Sequence, residues 1–345
     1  MIDLKLFKTK VIDEVLLLLS KYRVEPKHLE YLNARTVDEA VSLLDKYEGA
    51  KITAGGVDLI RLMNNEVIAP KLLVSIKTIP DLAYITEDAE GLKIGALTTI
   101  RDIETSAIIK DRYSLLAQAA HSVAAPQIRN MVTVGGNLCQ EVRCWYYTLS
   151  PVTGRSFFCY RKGGTRCYAA TGDNRYHGIF GTHECHAAFS SDMAPALLAL
   201  EAKVKIVSPT GGRIIQLEEF YAPLGNILEP NEMITELQVP TPRLGTRQRY
   251  LKFRIRRAID PAISSVAAAV TVTGGRVSSA RIVLGAVAPS PYRSVDAEET
   301  LQGKVITESL AQTAAKRAMS KATPLSMNAY KVAITQTLVK RAIME

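Results

Sequence analysis

The chain has 345 residues, 47% hydrophobic and 22% charged, with 43 Lys and Arg against 34 Asp and Glu for a formal charge of +9. That length suggests two or three domains, and the composition is that of an ordinary globular protein. The basic excess is scattered without a long block of like charges, which argues against a nucleic-acid-binding stripe, and no uncharged apolar run reaches the about 18 residues that a membrane span needs.

Residues 1–28 read as an N-terminal helical extension. KVIDEVLLLLSKY spreads apolar residues over a short helix that Pro26 stops, a helix that packs on this chain or on a partner. Its apolar core, Val15–Leu19, is short and follows Asp13 and Glu14, unlike a secretory signal. The expectation is a cytoplasmic protein, with export of a folded complex on a partner's signal left open.

Residues 29–240 read as one α+β domain. Thr36 is placed to cap a helix whose apolar face is Val37, Ala40, Val41, Leu43 and Leu44, with Asp38 and Glu39 in its first turn. A strand over KITAG then meets the Gly55–Gly56 pair and a helix beginning at Val57. KLLVSI reads as a buried strand, LAYITEDAEGLKIGA as a hairpin turning near Glu90–Gly91, and TTIRDIETSAII as a second short helix. LLAQAAHSVAAPQIRN is a helix broken by Pro126, whose end delivers Ile128 beside a second glycine pair. His121 lies on its mostly apolar face and reads as a satisfied core histidine. VTVGGNL reads as a strand ending in a Gly135–Gly136 turn. SSDMAPALLALEA gives an Asp-bearing turn and an apolar helix, followed by strand, turn, strand and an extended segment to Pro240.

TPRLGTRQ (241–248) marks a boundary. Residues 249–345 read as a second α+β domain, a three-stranded antiparallel sheet plus helices. Gly274–Gly275 turns one hairpin, Arg254–Arg257 extends a strand with its charges on one face, and 294–320 and 324–343 are helical.

All five cysteines fall in one segment: Cys139, Cys144, Cys159, Cys167 and Cys185. From Cys144 the spacing is C-x14-C-x7-C-x17-C, without the paired knuckles of common zinc sites or the compact run of bacterial ferredoxins. Four soft thiolates suit a [4Fe–4S] cluster or Zn²⁺. Gly163, Gly164, Thr165 and Gly172 let backbone amides approach sulfur, and His183 and His186 flank Cys185 in supporting or surface roles.

The two glycine pairs look like two clamps on one diphosphate, each presenting amides to anionic oxygens, although either alone could be an ordinary turn. AGGVDL (54–59), IGALTTIRDIE (94–104), QIRNMVTVGGNL (127–138) and SSDMAPALLALEA (190–202) are similar, in order and spacing, to the FAD-binding medium subunit of the xanthine dehydrogenase / molybdenum hydroxylase family, and the resemblance runs from about 30 to 343. It implies a two-subdomain FAD-binding fold of the PCMH/VAO type. The cysteines then fall on an insertion at about 139–189. That insertion resembles the iron–sulfur branches of the family, the 4-hydroxybenzoyl-CoA reductase β subunit and, through GGTRCYAA and GDNRYHGIFGTHEC, the aldehyde oxidoreductase FAD subunit.

The resemblance implies FAD held by Ala54, Gly55, Gly56, Val57, Asp58 and Leu59 in one clamp and by Thr133, Gly135, Gly136 and Asn137, beside Ile128, in the other. Asp192 would accept from a ribose hydroxyl, Thr98 and Thr99 would lie near phosphate, and Lys252 near the flavin ring. Plainer readings stand beside these: Thr98 and Thr99 as a helix cap, Asp192 as a cap, Lys252 as a solvated strand charge. Cys144, Cys159, Cys167 and Cys185 would hold a [4Fe–4S] cluster, with Cys139 spare. The implied partners are a large molybdopterin-binding subunit, a small [2Fe–2S] subunit and a soluble carrier such as ferredoxin. Electrons would pass through this chain while substrate reacts elsewhere, so no catalytic residue is expected in it. Two alternatives remain: a zinc-stapled structural subunit without flavin, for which Val57 in place of a small polar residue leaves room, and a free-standing flavoprotein oxidase. Against the oxidase, the first clamp has no His or Cys for covalent flavin attachment.

Overall fold

The computed structural model describes residues 29–148, 157–182 and 184–345; the expected extension over 1–28 and His183 lie outside the described residues. The fold is α+β, as the sequence suggests. The first unit contains β1 (Glu30–Asn33), α1 (Val37–Lys46), β2 (Lys51–Thr53), α2 (Val57–Asn64) and β3 (Leu72–Ser75). Its parallel sheet has the order β1-β3-β2, with β3 buried along its length. Thr36 Oγ1 accepts from Glu39 N at 3.1 Å, so α1 starts where the sequence places it and buries Ala40, Val41 and Leu44.

The second unit begins with the hairpin β4 (Ile85–Asp88) and β5 (Gly91–Gly95). Short helices follow: α3 (Ile100–Thr105), α4 (Ala107–Arg112), α5 (Ser114–Ser122), α6 (Pro126–Arg129), α7 (Val134–Leu138) and α8 (Trp145–Thr148). After the cysteine-bearing segment come α9 (Met193–Ala199), β6 (Lys203–Ser208), β7 (Gly211–Gln216), the small pair β8 (Tyr221–Ala222) and β9 (Gly225–Asn226), and β10 (Met233–Pro240). The strands make an antiparallel sheet of order β4-β5-β10-β6-β7. Every residue of α9 is buried, as a helix apolar on all sides requires.

The third unit is β11 (Thr246–Phe253), β12 (Ser264–Thr273), β13 (Arg276–Gly285), β14 (Tyr292–Arg293), α10 (Val295–Leu301), α11 (Glu308–Ala318) and α12 (Tyr330–Met344). Gly274 and Gly275 both take positive φ, 58° and 76°, and turn the β12–β13 hairpin. The sheet gains a fourth, two-residue strand, β14, beyond the three expected.

Four local expectations change. The segment 98–109 makes two helices because Ser106 caps a new one, accepting from Ile109 N at 3.4 Å. Strand β11 stops at Phe253, and Arg254–Arg257 leaves the sheet because Asp260 accepts from Arg256 N at 2.8 Å in a turn. His121 is a surface residue, its side chain 75% exposed and its Nδ1 2.8 Å from Glu104 Oε1, since α5 turns its apolar face elsewhere. The Gly135–Gly136 pair lies inside α7 and does not end a strand: Thr133 Oγ1 accepts from Gly136 N at 3.2 Å and nucleates a helix.

The cysteine-bearing segment packs against the third unit. Ile179 N donates to Val287 O at 2.7 Å, and Thr323 N donates to Ile179 O at 2.8 Å. Lys331 of α12 is fully buried and donates to the carbonyls of Ala286 and His177 at 2.7 and 3.0 Å.

Candidate functional site: a glycine-lined cavity and a cysteine-bearing insertion

A cavity of about 770 Å³ opens where the first two units meet β11. One wall is Ala54, Gly55, Gly56, Val57, Asp58 and Leu59; a second is Ile128, Thr133, Gly135, Gly136 and Asn137; Asp192 and Lys252 form a third. The expected cofactor contacts therefore converge on one space, with two exceptions. Thr98 Oγ1 donates to Tyr84 O at 2.8 Å and accepts from Tyr84 N at 3.1 Å. Thr99 closes a capping box with Asp102 at the start of α3. Neither lines the cavity, and both hydroxyls are satisfied by the fold itself.

The two glycine pairs differ. Gly56 takes φ 73° at the N-cap of α2 and offers no side-chain cap. The first amide of this helix to find a partner among the described residues is Ile60 N, which donates to Gly56 O at 2.9 Å. No hydrogen bond among the described residues takes up the N–H of Val57, Asp58 or Leu59. An uncapped helix N-terminus that lines a cavity is a ready anion site, because unpaired amides and the positive end of the dipole coincide. Gly55 lies so close to the second wall that a Cβ there would stand 2.0 Å from Met131 O.

The second pair has no such free amides. Val134 N donates to Thr98 O at 2.9 Å, Gly135 N to Ala96 O at 3.0 Å and Asn137 N to Thr133 O at 2.8 Å, while Gly136 N is held by Thr133 Oγ1. A Cβ on Gly135 would meet Ala96 O at 3.0 Å, so this glycine serves close packing. Among the described residues, amides without a partner remain at the first pair and not at the second.

Asp192 and Lys252, read separately from sequence, are partners. Lys252 Nζ lies 2.7 Å from Asp192 Oδ2, with side chains 4% and 5% exposed, and also donates to Ser122 O at 2.9 Å. Tyr250 OH donates to Asp192 Oδ1 at 2.7 Å, and burial together with that carboxylate holds its ionisation well above the usual range.

Glu141 and Arg143 also line the cavity, and the sequence reading did not select them. Glu141 N donates to Asp58 Oδ2 at 2.8 Å, which ties α2 to the start of the insertion. Burial pushes the Glu141 carboxyl up, opposed by the charge of Arg161, and burial draws Arg143 down. Their signal was position: both lie within six residues after the GGN motif.

Cys144 immediately precedes α8, and the amides of Tyr147 and Tyr146 donate to its sulfur. Burial pushes its thiol up to about 12, and the Cys185 and Cys167 sulfurs are near enough to oppose its ionisation. His177 Nε2 is 3.2 Å from Cys144 Sγ, and burial followed by the Lys331 charge lowers His177 to about 4, so the ring is neutral. Cys185 Sγ accepts from Arg161 Nε at 3.3 Å and from Ala187 N at 3.4 Å. Cys159 is buried, and Cys139 lines the cavity instead, pushed up to about 12 by burial. Among the described residues, no group of three or more His, Cys, Asp and Glu side chains could hold a metal ion. The buried side-chain polar atoms left without a partner are nonetheless concentrated here: Arg161 Nη2, His177 Nδ1 and His186 Nδ1, with Ser75 Oγ elsewhere.

Comparison with known proteins matches residues 26–242 to the FAD binding domain in molybdopterin dehydrogenase and 249–345 to the CO dehydrogenase flavoprotein C-terminal domain. The chain is 33% identical to the aldehyde oxidoreductase FAD-binding subunit PaoB of Escherichia coli K12, over 92% of this chain and 98% of that one. It is 32% identical to the carbon monoxide dehydrogenase medium chain of Hydrogenophaga pseudoflava, over 92% and 96%. A solved structure of carbon monoxide dehydrogenase from H. pseudoflava, lacking the Mo-pyranopterin moiety of its molybdenum cofactor, superposes with a TM-score of 0.73 at 30% identity, covering 92% of this chain and 97% of that one.

Proposed function

The chain belongs to the FAD-binding medium subunits of the molybdenum hydroxylase family, and from that premise we propose that it holds FAD and a [4Fe–4S] cluster and relays electrons between a partner's [2Fe–2S] clusters and an external carrier. The observation that carries the relay is the gathering of unpartnered buried polar atoms around the cysteines, beside a cavity that ends on an uncapped helix.

FAD, when bound, supplies the chemistry that splits two-electron transfer into one-electron steps. The protein's part is to hold and orient it. The free amides of Val57, Asp58 and Leu59 receive the pyrophosphate. Asp192 keeps lone pairs beyond those used by Tyr250 and Lys252, enough to accept from a ribose hydroxyl. Lys252 already meets this carboxylate, so its charge is balanced inside the protein before any cofactor binds.

Cys144, Cys159, Cys167 and Cys185 are the proposed iron ligands. The likeness of GGTRCYAA and GDNRYHGIFGTHEC to the iron–sulfur branch of the family supports the cluster over the zinc staple.

Relatives named medium chains imply larger and smaller companions. The proposed partners are a large molybdopterin-binding subunit, a small [2Fe–2S] subunit and a ferredoxin-like carrier, with substrate turned over on the large subunit. Cytoplasmic residence fits; no helix among the described residues is long and apolar enough to cross a membrane.

The test is Cys167→Ala in the anaerobically purified complex. Iron and sulfide should fall to background while FAD stays stoichiometric. A variant that retains full iron and full reaction with its carrier would refute the ligand assignment. Wild-type protein with neither iron nor flavin would end the whole reading.

A further inference from the structure

We propose that Arg161 is a positioning residue that tunes the reduction potential of the iron held through Cys185 and braces that sulfur against the wall of the flavin cavity. The proposal rests on the reading of the cysteines as iron ligands. The Arg161 side chain is 4% exposed, although it belongs to a residue type that is seldom buried. Its Nε donates to Cys185 Sγ at 3.3 Å, and its Nη1 reaches Glu141 Oε2 at 3.2 Å and Leu224 O at 3.0 Å. Nη2 is buried with no partner among the described residues. Glu141 lines the cavity and donates its amide to Asp58 in the first turn of α2, so a continuous hydrogen-bonded line runs from Cys185 through Arg161 and Glu141 to the anion-binding helix.

A guanidinium taken out of water costs heavily unless its charge is used. One carboxylate shared at 3.2 Å by a single nitrogen is less than the bidentate match that Arg usually finds. A thiolate-ligated iron group would supply the missing negative charge. Uptake of one electron from an external reductant makes that group more negative by one unit. A fixed cation hydrogen-bonded to the Cys185 sulfur stabilises the reduced form more than the oxidised one and raises the potential.

The experiment is potentiometric titration of the purified complex with dithionite, followed by electron paramagnetic resonance, for wild type, Arg161→Gln and Arg161→Lys, with iron, sulfide and FAD quantified. Arg161→Gln should keep iron and FAD, and its reduced-to-oxidised ratio at a fixed potential should fall about tenfold, ~59 mV for one electron. Arg161→Lys, which keeps the charge, should recover most of that shift. An unchanged potential in iron-replete Arg161→Gln overturns the proposal. Loss of iron in both variants, with wild-type potential in whatever fraction remains, also overturns it and leaves Arg161 a structural brace. Wild-type complex without iron removes the ligand reading first and this inference with it.

Discussion

Lys252→Met takes one charge from the Asp192–Lys252 pair and leaves the apolar stem nearly intact. The pair is closed from solvent, with side chains 4% and 5% exposed and 2.7 Å between Nζ and Oδ2. The substitution would leave the Asp192 carboxylate with the Tyr250 hydroxyl as its recorded side-chain donor and would free Ser122 O from its bond to the ammonium. Removing one partner of a buried pair costs about 3–5 kcal/mol, because the remaining charge stays desolvated. For a domain of the size matched by residues 26–242, each kcal/mol lowers the midpoint by about 2–4 °C, so a fall of roughly 6–20 °C is expected. The assay is thermal unfolding by circular dichroism at saturating FAD, since both residues line the cavity and FAD occupancy would otherwise shift the midpoint as well. Asp192→Asn combined with Lys252→Met should be less unstable than the sum of the single changes, since the double variant strands no charge. A single variant within about 0.5 kcal/mol of wild type, or strict additivity in the double variant, would refute the claim that these groups hold each other.

Two further outcomes follow from local geometry. Gly55→Ala drives a Cβ to 2.0 Å from Met131 O, so the two cavity walls must part and FAD content should drop sharply; Gly49→Ala, at φ 76° with nothing within 4 Å, should cost only about 1–2 kcal/mol and keep FAD, and equal flavin content in the two variants would count against the cavity. Burial lowers Lys331 from its usual 10.5 to about 7, so across that interval the unfolded chain binds a proton the folded chain does not, and stability rises with pH through the window. Lys331→Met should flatten that rise in denaturant midpoints measured from pH 7 to about 10, and an undiminished slope would show that Lys331 is charged in the folded state.

The elements that local chemistry fixes were legible. Thr36 with Glu39, the Glu90–Gly91 turn and the Gly274–Gly275 hairpin each carry their own signal within a few residues. The misplaced features depend on partners far along the chain. His121 reads as a core residue from the apolar neighbours in its helix, yet Glu104 holds it at the surface from 17 residues away, and Arg129 reaches the same carboxylate at 2.9 Å. The Asp192–Lys252 contact spans 60 residues and two units of the fold. Each residue alone suggests a ligand to the cofactor, and only folding shows that they first satisfy each other.

The glycine pairs show most clearly where sequence reading stops. Both occur in nearly the same words, AGGVDL and VGGNL, and both flank the cavity. In the first, Gly56 is itself the N-cap of α2, so the helix begins without a capping side chain. In the second, Thr133 stands three residues before Gly136, the spacing of a cap, and it consumes the amide that the motif advertises. The discriminating residue is thus the one at the N-cap, Gly56 in the first motif and Thr133 in the second. A bare cap leaves backbone amides free at the cavity, whereas a filled cap closes the second wall ahead of the cysteine-bearing segment. The hydrogen bonds of the second motif close within Ala96, Thr98 and Thr133, and the chain beyond it is tied back to α2 where Glu141 N donates to Asp58 Oδ2 at 2.8 Å.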